Sequence, residues 1–346
     1  QNIAYLVDAY RGEARSYDLV EYALFCSFFP QLIAGPIVHH EEMIPQFRRP
    51  DVFRPDWGRI ATGAAIFVVG MFKKVVVADE LALFADPVFA AAAKADASAP
   101  GALAAWGGTL AFSLQIYFDF SGYTDMAIGI GRMFGIALPE NFASPYKATS
   151  IIDFWRRWHQ TLSRFLRDYV YIPLGGNRRG RPRRYANLMA TMLLGGLWHG
   201  AAWTFVAWGG LHGLYLVANH AFRWLRRRVG WHGELAGGRA LATAATTLAV
   251  VVAWVFFRAG SFPAAATMLE GLAGASGLGA VAPTPRGAYQ ALFLAAGLAC
   301  VWLLPNTREV LGEADEPVVE LRVGRLRVVA VPTALVFAMM IFSILG

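Results

Sequence analysis

The sequence predicts an all-α, polytopic membrane protein: apolar spans accompanied by amphipathic helices at the interface. Three observations predict it. Hydrophobic residues make up 56% of the 346-residue chain and charged residues only 16%, where soluble domains carry about a quarter charged. Long apolar runs recur along the chain, and a soluble enzyme of this length does not need so many. The arginines behind the net charge of +7 gather in short segments between those runs, as cytoplasmic loops do under the positive-inside bias. No basic face on a soluble fold is visible, which argues against nucleic-acid binding.

In chain order, residues 1–18 are mixed and polar. The stretch "YALFCSFFPQLIAGPIV", 22–38, is apolar but interrupted by Pro30, Gly35 and Pro36. It reads as a broken or re-entrant segment packed against protein or a cavity. Spans are expected near 60–78, 103–118, 122–138, 186–202, 204–222, 240–257, 288–304 and 328–346. The run 103–138 is too long for one span and holds Asp119, Ser121 and Asp125 near its middle. Two helices, or one broken helix, are expected there. Segments 271–287 and 306–327 read as loops. Cys26 and Cys300 lie in apolar runs without ligand-like spacing and read as small buried hydrophobes. The chain starts at Gln1 and ends in an apolar run, so it is expected to be part of a longer protein.

The segment "DFWRRWHQTLSRFLRDYVYIPLGG", 153–176, is different in kind. Trp155, Trp158, His159, Leu162, Phe165, Leu166 and Tyr169 fall on one stripe, and Arg156, Arg157, Gln160, Ser163, Arg164 and Arg167 on the opposite face. This spacing predicts one amphipathic helix lying in the interface plane. Pro173, Gly175 and Gly176 end it.

A single histidine sits inside "LLGGLWHGAAW". Arg178, Arg179, Arg181, Arg183 and Arg184 precede its helix, and Arg223, Arg226, Arg227 and Arg228 follow the next, so both ends of the hairpin 185–222 read as cytoplasmic. His199 lies roughly 22 Å of helix rise beyond Arg184, past the middle of a hydrocarbon core about 30 Å thick. An ionisable group at that depth faces a cavity or a partner. An imidazole kept from water stays neutral, and a neutral ring can accept a proton, which makes His199 a candidate general base. A packing role, bonding between helices, is the competing account. Gly196 and Gly200 flank His199, as Gly209 and Gly213 flank His212, and such pairs allow close helix approach.

Other constellations carry less. His39, His40, His220 and His232 lie in or beside loops and read as solvated. "HHEE", His39 to Glu42, offers metal-type ligands, but adjacent residues cannot all converge on one ion, so no metal site is expected. Asp119 and Asp125, in "FDFSGYTD", either line a polar tunnel or tie helices together. No nucleophile elbow, phosphate loop or dinucleotide fingerprint is present.

"FPQLIAGPI", "FDFSGYTDMAIGIGRMFGIALPENFASPY", the 153–176 stretch with its "NRRG" continuation, "LLGGLWHGAAWTFVAWGGLHG" and "WVFFRAGSF" together resemble the membrane-bound O-acyltransferase family. They are similar in particular to its bacterial alginate O-acetyltransferase branch. The resemblance implies one membrane domain over 1–346, a helix bundle around a transmembrane tunnel, without the family's N-terminal spans and aromatic C-terminal tail. It implies catalytic histidines at His199 and His159, with Trp198, Trp158, Asn141, Asp119 and Asp125 along the tunnel. It further implies no bound cofactor but an acyl thioester co-substrate, acetyl-CoA or an acyl carrier protein, attracted by Arg178, Arg179 and Arg181 and by the arginines of 156–167. The implied setting is the bacterial inner membrane, with a periplasmic SGNH-type acetyltransferase and polysaccharide assembly proteins as partners. D-alanyl transfer and peptidoglycan acetylation are rival readings within the family. A transporter or an assembly scaffold is the rival outside it.

Overall fold

The computed structural model describes residues 1–14, 17–94, 98–230, 237–279, 285–311, 322–323 and 326–327. The expected span at 328–346 and most of the loop at 306–327 lie outside them. Apart from one ladder pairing Arg322–Val323 with Leu326–Arg327, the regular structure among these residues is helical.

The N-terminal part holds three short helices, α1 (Asn2–Tyr10), α2 (Leu19–Ser27) and α3 (His40–Phe47). Asp18 and Glu21 form a reciprocal capping box at the start of α2. The chain then breaks into a 3-10 turn, Phe29–Gln31, with Pro30 at its start, so 22–38 is interrupted where the prolines require it. The buried Gln31 side chain satisfies the loosened backbone by donating to the Phe25 carbonyl at 2.5 Å.

Helix α4 (Trp57–Phe72) runs through a π-helical segment, Lys73–Ala78, into α5 (Asp79–Ala92). Together they form a 36-residue run long and apolar enough to cross a membrane. A second such run is α11 (Gly238–Arg258). Opposite α4 and α5 packs α6 (Ala102–Met133), an unbroken helix of 32 residues. This corrects the expectation of two helices or a broken one over 103–138. Asp119 and Asp125 bond sideways to lysines of the π segment and leave the α6 backbone ladder intact.

The amphipathic stretch also departs from expectation. It folds as two short helices, α7 (Ile151–Arg157) and α8 (Gln160–Leu166), followed by a π-helical turn, Arg167–Tyr171. The break falls at Trp158 and His159. Next comes the expected hairpin of α9 (Gly180–Trp198) and α10 (Trp203–Arg228). A Cβ added to Gly196 would stand 2.2 Å from the Phe205 carbonyl oxygen, and one on Gly209 2.2 Å from that of Met192. Only glycine permits so close a backbone approach here. Helices α12 (Phe262–Leu272), α13 (Pro285–Leu303) and α14 (Thr307–Leu311) complete the fold. The main core is aromatic, with Tyr117, Phe142, Phe154, Trp158, Trp208 and Trp254 buried together.

Candidate active site

Asn141, fully buried in the loop after α6, organises the break in the amphipathic stretch. Its side-chain oxygen accepts from the backbone N–H of Thr161 at 3.3 Å and from the Thr161 hydroxyl at 2.9 Å. Its backbone carbonyl accepts from the Gln160 N–H at 3.0 Å. These bonds take the place of helix bonds across 158–161 and stop α7 from running into α8. His159 is thereby held in the left-handed region, at φ 43° and ψ 56°, a conformation a bulky residue keeps only where its surroundings impose it.

The same Asn141 oxygen lies 3.0 Å from His159 Nδ1. A backbone N–H can only donate, so the Thr161 contact identifies that atom as the amide oxygen. His159 therefore carries its proton on Nδ1 and presents an unprotonated Nε2. Phe120 packs edge-on to the ring at 4.7 Å between centroids. Trp198, the last residue of α9, contacts it at 6.1 Å between centroids.

His199 caps the C-terminus of α9. Its ring lies in an aromatic cage, with centroids of Trp198 at 5.0 Å, Phe257 at 5.0 Å and Trp208 at 5.2 Å. Among the described residues its nitrogens have no hydrogen-bond partner. Trp198 touches both histidines and is itself 55% exposed. Beyond Trp208 lies His212, fully buried, whose Nδ1 accepts from Trp155 Nε1 at 3.2 Å. Its Nε2 and the Trp208 Nε1 are buried without partners among the described residues. The Trp155–His212 bond was not legible in sequence, because it joins residues 57 positions apart.

The remaining expected site residues go elsewhere. Trp158 is buried against Phe154, Phe142 and Trp254 and belongs to the aromatic core. Asp125 bonds Lys73 Nζ and the Thr307 hydroxyl, each at 2.6 Å. Asp119, half exposed, pairs with Lys74 at 3.0 Å. The structure thus brings His159, His199, Trp198 and Asn141 together and ties both aspartates to the π segment. Lys73 and Lys74 were the signal for this, since charges inside an expected span call for partners.

A cavity of about 770 Å³ has Gln160 and Thr161, the two residues after His159, in its wall alongside Arg156, Arg164, Arg167, Arg308 and the acidic Glu140; neither His159 nor His199 lines it. Arg164 is paired with Glu42 and Arg167 with Asp168. Arg178, Arg179 and Arg181 are not among its lining residues. They are exposed at the start of α9, where Arg181 stacks on Trp224 at 5.0 Å. Arg308, which sequence reasoning missed, reaches the cavity from the distant segment at α14.

His39 and His40 correct a further expectation. His40 is 1% exposed and both rings bond buried Asp8, so neither is a solvated loop residue.

Comparison with known proteins places this geometry in context. The model of the membrane-bound O-acyltransferase family matches residues 2–257. A peptidoglycan O-acetyltransferase of Helicobacter pylori is 51% identical over 259 residues, covering 75% of this chain and 47% of its own. A probable alginate O-acetylase AlgI of Pseudomonas putida is 44% identical over 269 residues, 78% of this chain and 52% of its own. A teichoic acid D-alanyltransferase of Streptococcus thermophilus is 27% identical over 236 residues, 65% of this chain and 55% of its own. The chain spans about half the length of the curated relatives it matches.

Proposed function

The chain belongs to the membrane-bound O-acyltransferase family, and from that premise we propose that it moves an acetyl group from a cytoplasmic thioester toward a carbohydrate hydroxyl outside the membrane. The observation that carries the reading is the pair of histidines joined through Trp198, with unpaired nitrogen on both, next to an arginine-walled cavity. In the reaction, an imidazole nitrogen of His199 takes the proton of the acceptor hydroxyl as its oxygen attacks the thioester carbonyl. The tetrahedral intermediate collapses by breaking the C–S bond, and the imidazolium returns the proton to the leaving thiolate. His159, its tautomer set by Asn141, orients the thioester end through Nε2.

The cavity at Arg156, Arg164, Arg167 and Arg308 suits the anionic part of the donor, either the phosphates of acetyl-CoA or an acidic acyl carrier protein. Arg178, Arg179 and Arg181 serve as an outer attracting patch at the same cytoplasmic end. On this reading the protein works in a bacterial inner membrane, as a multi-pass bundle around a tunnel in the single domain 1–346. A periplasmic SGNH-type acetyltransferase and polysaccharide assembly proteins are its partners. The acceptor is an exopolysaccharide of the alginate kind. The 51% identity to a peptidoglycan O-acetyltransferase favours a second reading, in which the glycan is peptidoglycan.

The test uses the full-length natural protein in membranes with a radiolabelled acetyl donor, wild type beside His199→Ala. Label on exopolysaccharide, on peptidoglycan or on a periplasmic acceptor protein selects among the acceptors. Its loss in the variant at equal expression is expected. Label that persists in the variant returns His199 to packing, and solute uptake without any labelled glycan returns the protein to the transporter class.

A further inference from the structure

Asp8, His39 and His40 meet where α1, the start of α3 and the turn after α8 come together. His39 Nε2 lies 2.8 Å and His40 Nε2 3.1 Å from the same Asp8 carboxylate oxygen. The Tyr169 hydroxyl stands 2.6 Å from that oxygen and 2.7 Å from His39 Nε2. Adjacent histidines reach one point because the backbone changes conformation between them. His39 is extended, at φ −100° and ψ 143°, whereas His40 is the first residue of α3. Their rings lie 4.3 Å apart and tilted by 33°. Glu41 and Glu42 do not join them, and Glu42 turns to Arg164 instead.

We propose that Asp8, His39 and His40 bind one divalent cation of the zinc class, with Tyr169 or a water as the fourth ligand. The three ligand atoms lie within 4.8 Å of one another. Bonds of about 2.0–2.2 Å in a tetrahedral site set ligand atoms about 3.3 Å apart, so the two histidine contacts to Asp8 need only a small outward relaxation. Two imidazoles with one carboxylate suit zinc or cobalt and not the all-oxygen preference of magnesium or calcium. Among the described residues no lysine or arginine pairs with Asp8, so its charge is available to a cation. A pocket of about 200 Å³, lined by His39, Asp168 and Tyr169, gives a path of entry.

Binding requires each ring to carry its proton on Nδ1. For His40 that proton points at the Tyr17 hydroxyl, 3.1 Å away, the outer bond that orients a metal-binding histidine. For His39, the 3.4 Å approach of the Glu41 N–H to Nδ1 is given up. The bound ion braces the arm that holds His159, because the Ile37 N–H donates to the Thr161 hydroxyl at 3.0 Å. This site is independent of the acyl-transfer reading.

The experiment is a Co²⁺ titration of the detergent-purified, chelator-stripped full-length protein, followed by Zn²⁺ competition. A single equivalent with a tetrahedral cobalt absorption band, displaced by zinc, is expected. His40→Ala and Asp8→Asn abolish the band, while Tyr17→Phe keeps every ligand and weakens binding about 10–100-fold. A wild type without the band, or a band unchanged in all three variants, overturns the proposal. Should the alanine variant not fold, the wild-type titration and Tyr17→Phe decide it alone.

Discussion

Two regions of this molecule bury polar groups in apolar surroundings, and they treat them in opposite ways. Beside α6, the charged pair Lys73 and Asp125 and the Thr307 hydroxyl satisfy one another within 2.7 Å, although the neighbouring Ser121 and Thr124 hydroxyls are buried without partners among the described residues. Around α9 and α10, His199 has no hydrogen-bond partner among the described residues, His159 shows a bare Nε2, and the Trp208 and His212 Nε atoms are unpaired. A buried polar atom left unpaired is costly, roughly 1–3 kcal/mol, and a fold keeps several in one place where something else makes use of them. The saturated cluster holds helices together. The unsaturated one is where the proposed chemistry would take place.

If that contrast is right, substitutions in the two regions separate activity from stability. The largest effect is expected at His199→Ala: acyl transfer falls by about 10²–10⁴-fold, the share a positioned general base supplies. The melting temperature in detergent falls far less than the activity, because no described hydrogen bond is lost and only the ring packing against Trp198, Trp208 and Phe257 goes. Equal loss of both quantities would assign His199 to packing.

Lys73→Met should do the reverse. It leaves Asp125 as an uncompensated buried charge, which costs about 3–5 kcal/mol. Denaturation in detergent reads that loss, while activity per folded molecule is retained. The double variant Lys73→Met, Asp125→Leu should recover most of the stability, since an apolar pair replaces the ion pair. A single variant as stable as wild type would show that the pair is not what joins the π segment to α6.

The two regions also differed in how far the sequence could be read. The helical class, the hairpin and its histidine followed from apolar periodicity and arginine placement, which are local signals. Family resemblance pointed to His159. The unbroken α6 was misread because Asp119 and Asp125 are polar in sequence, yet their partners come from a π segment some fifty residues earlier, whose geometry no local pattern announces. The break between α7 and α8 was missed for the same reason. Periodicity favours one helix, and Asn141 overrides it from another segment. His39 and His40 were misread as solvated because Asp8 and Tyr169 reach them only in the folded chain.

Asn141→Ala tests the boundary between the two kinds of region, since the Asn141 side-chain oxygen is fully used while its own Nδ2 is buried without a partner among the described residues. Its loss frees His159 to change tautomer and strands the Thr161 donors, for about 1–3 kcal/mol of stability. A positioning role predicts that kcat falls while KM holds. A rise in KM alone would make Asn141 a binding residue.

The smallest effect is expected where pairing occurs in water. Glu21 accepts from Arg48 Nη2 at 2.7 Å at the surface. The Arg48 hydrogen bond holds its carboxyl below the usual glutamate range, against a smaller opposing push from desolvation. A lowered folded-state pKa gives stability that is fully present above the unfolded value and is lost as pH falls through the folded one. Wild type should therefore exceed Glu21→Gln in melting temperature at neutral pH by a small margin, and the margin should close on acidification. A screened surface pair is worth little, so raising the salt should shrink the margin as well. A gap that is wide, salt-independent and constant with pH would mean that the ion pair does not carry the contribution of Glu21. Solvent exposure would then not be what separates weak pairing from the strong pairing of Lys73 with Asp125.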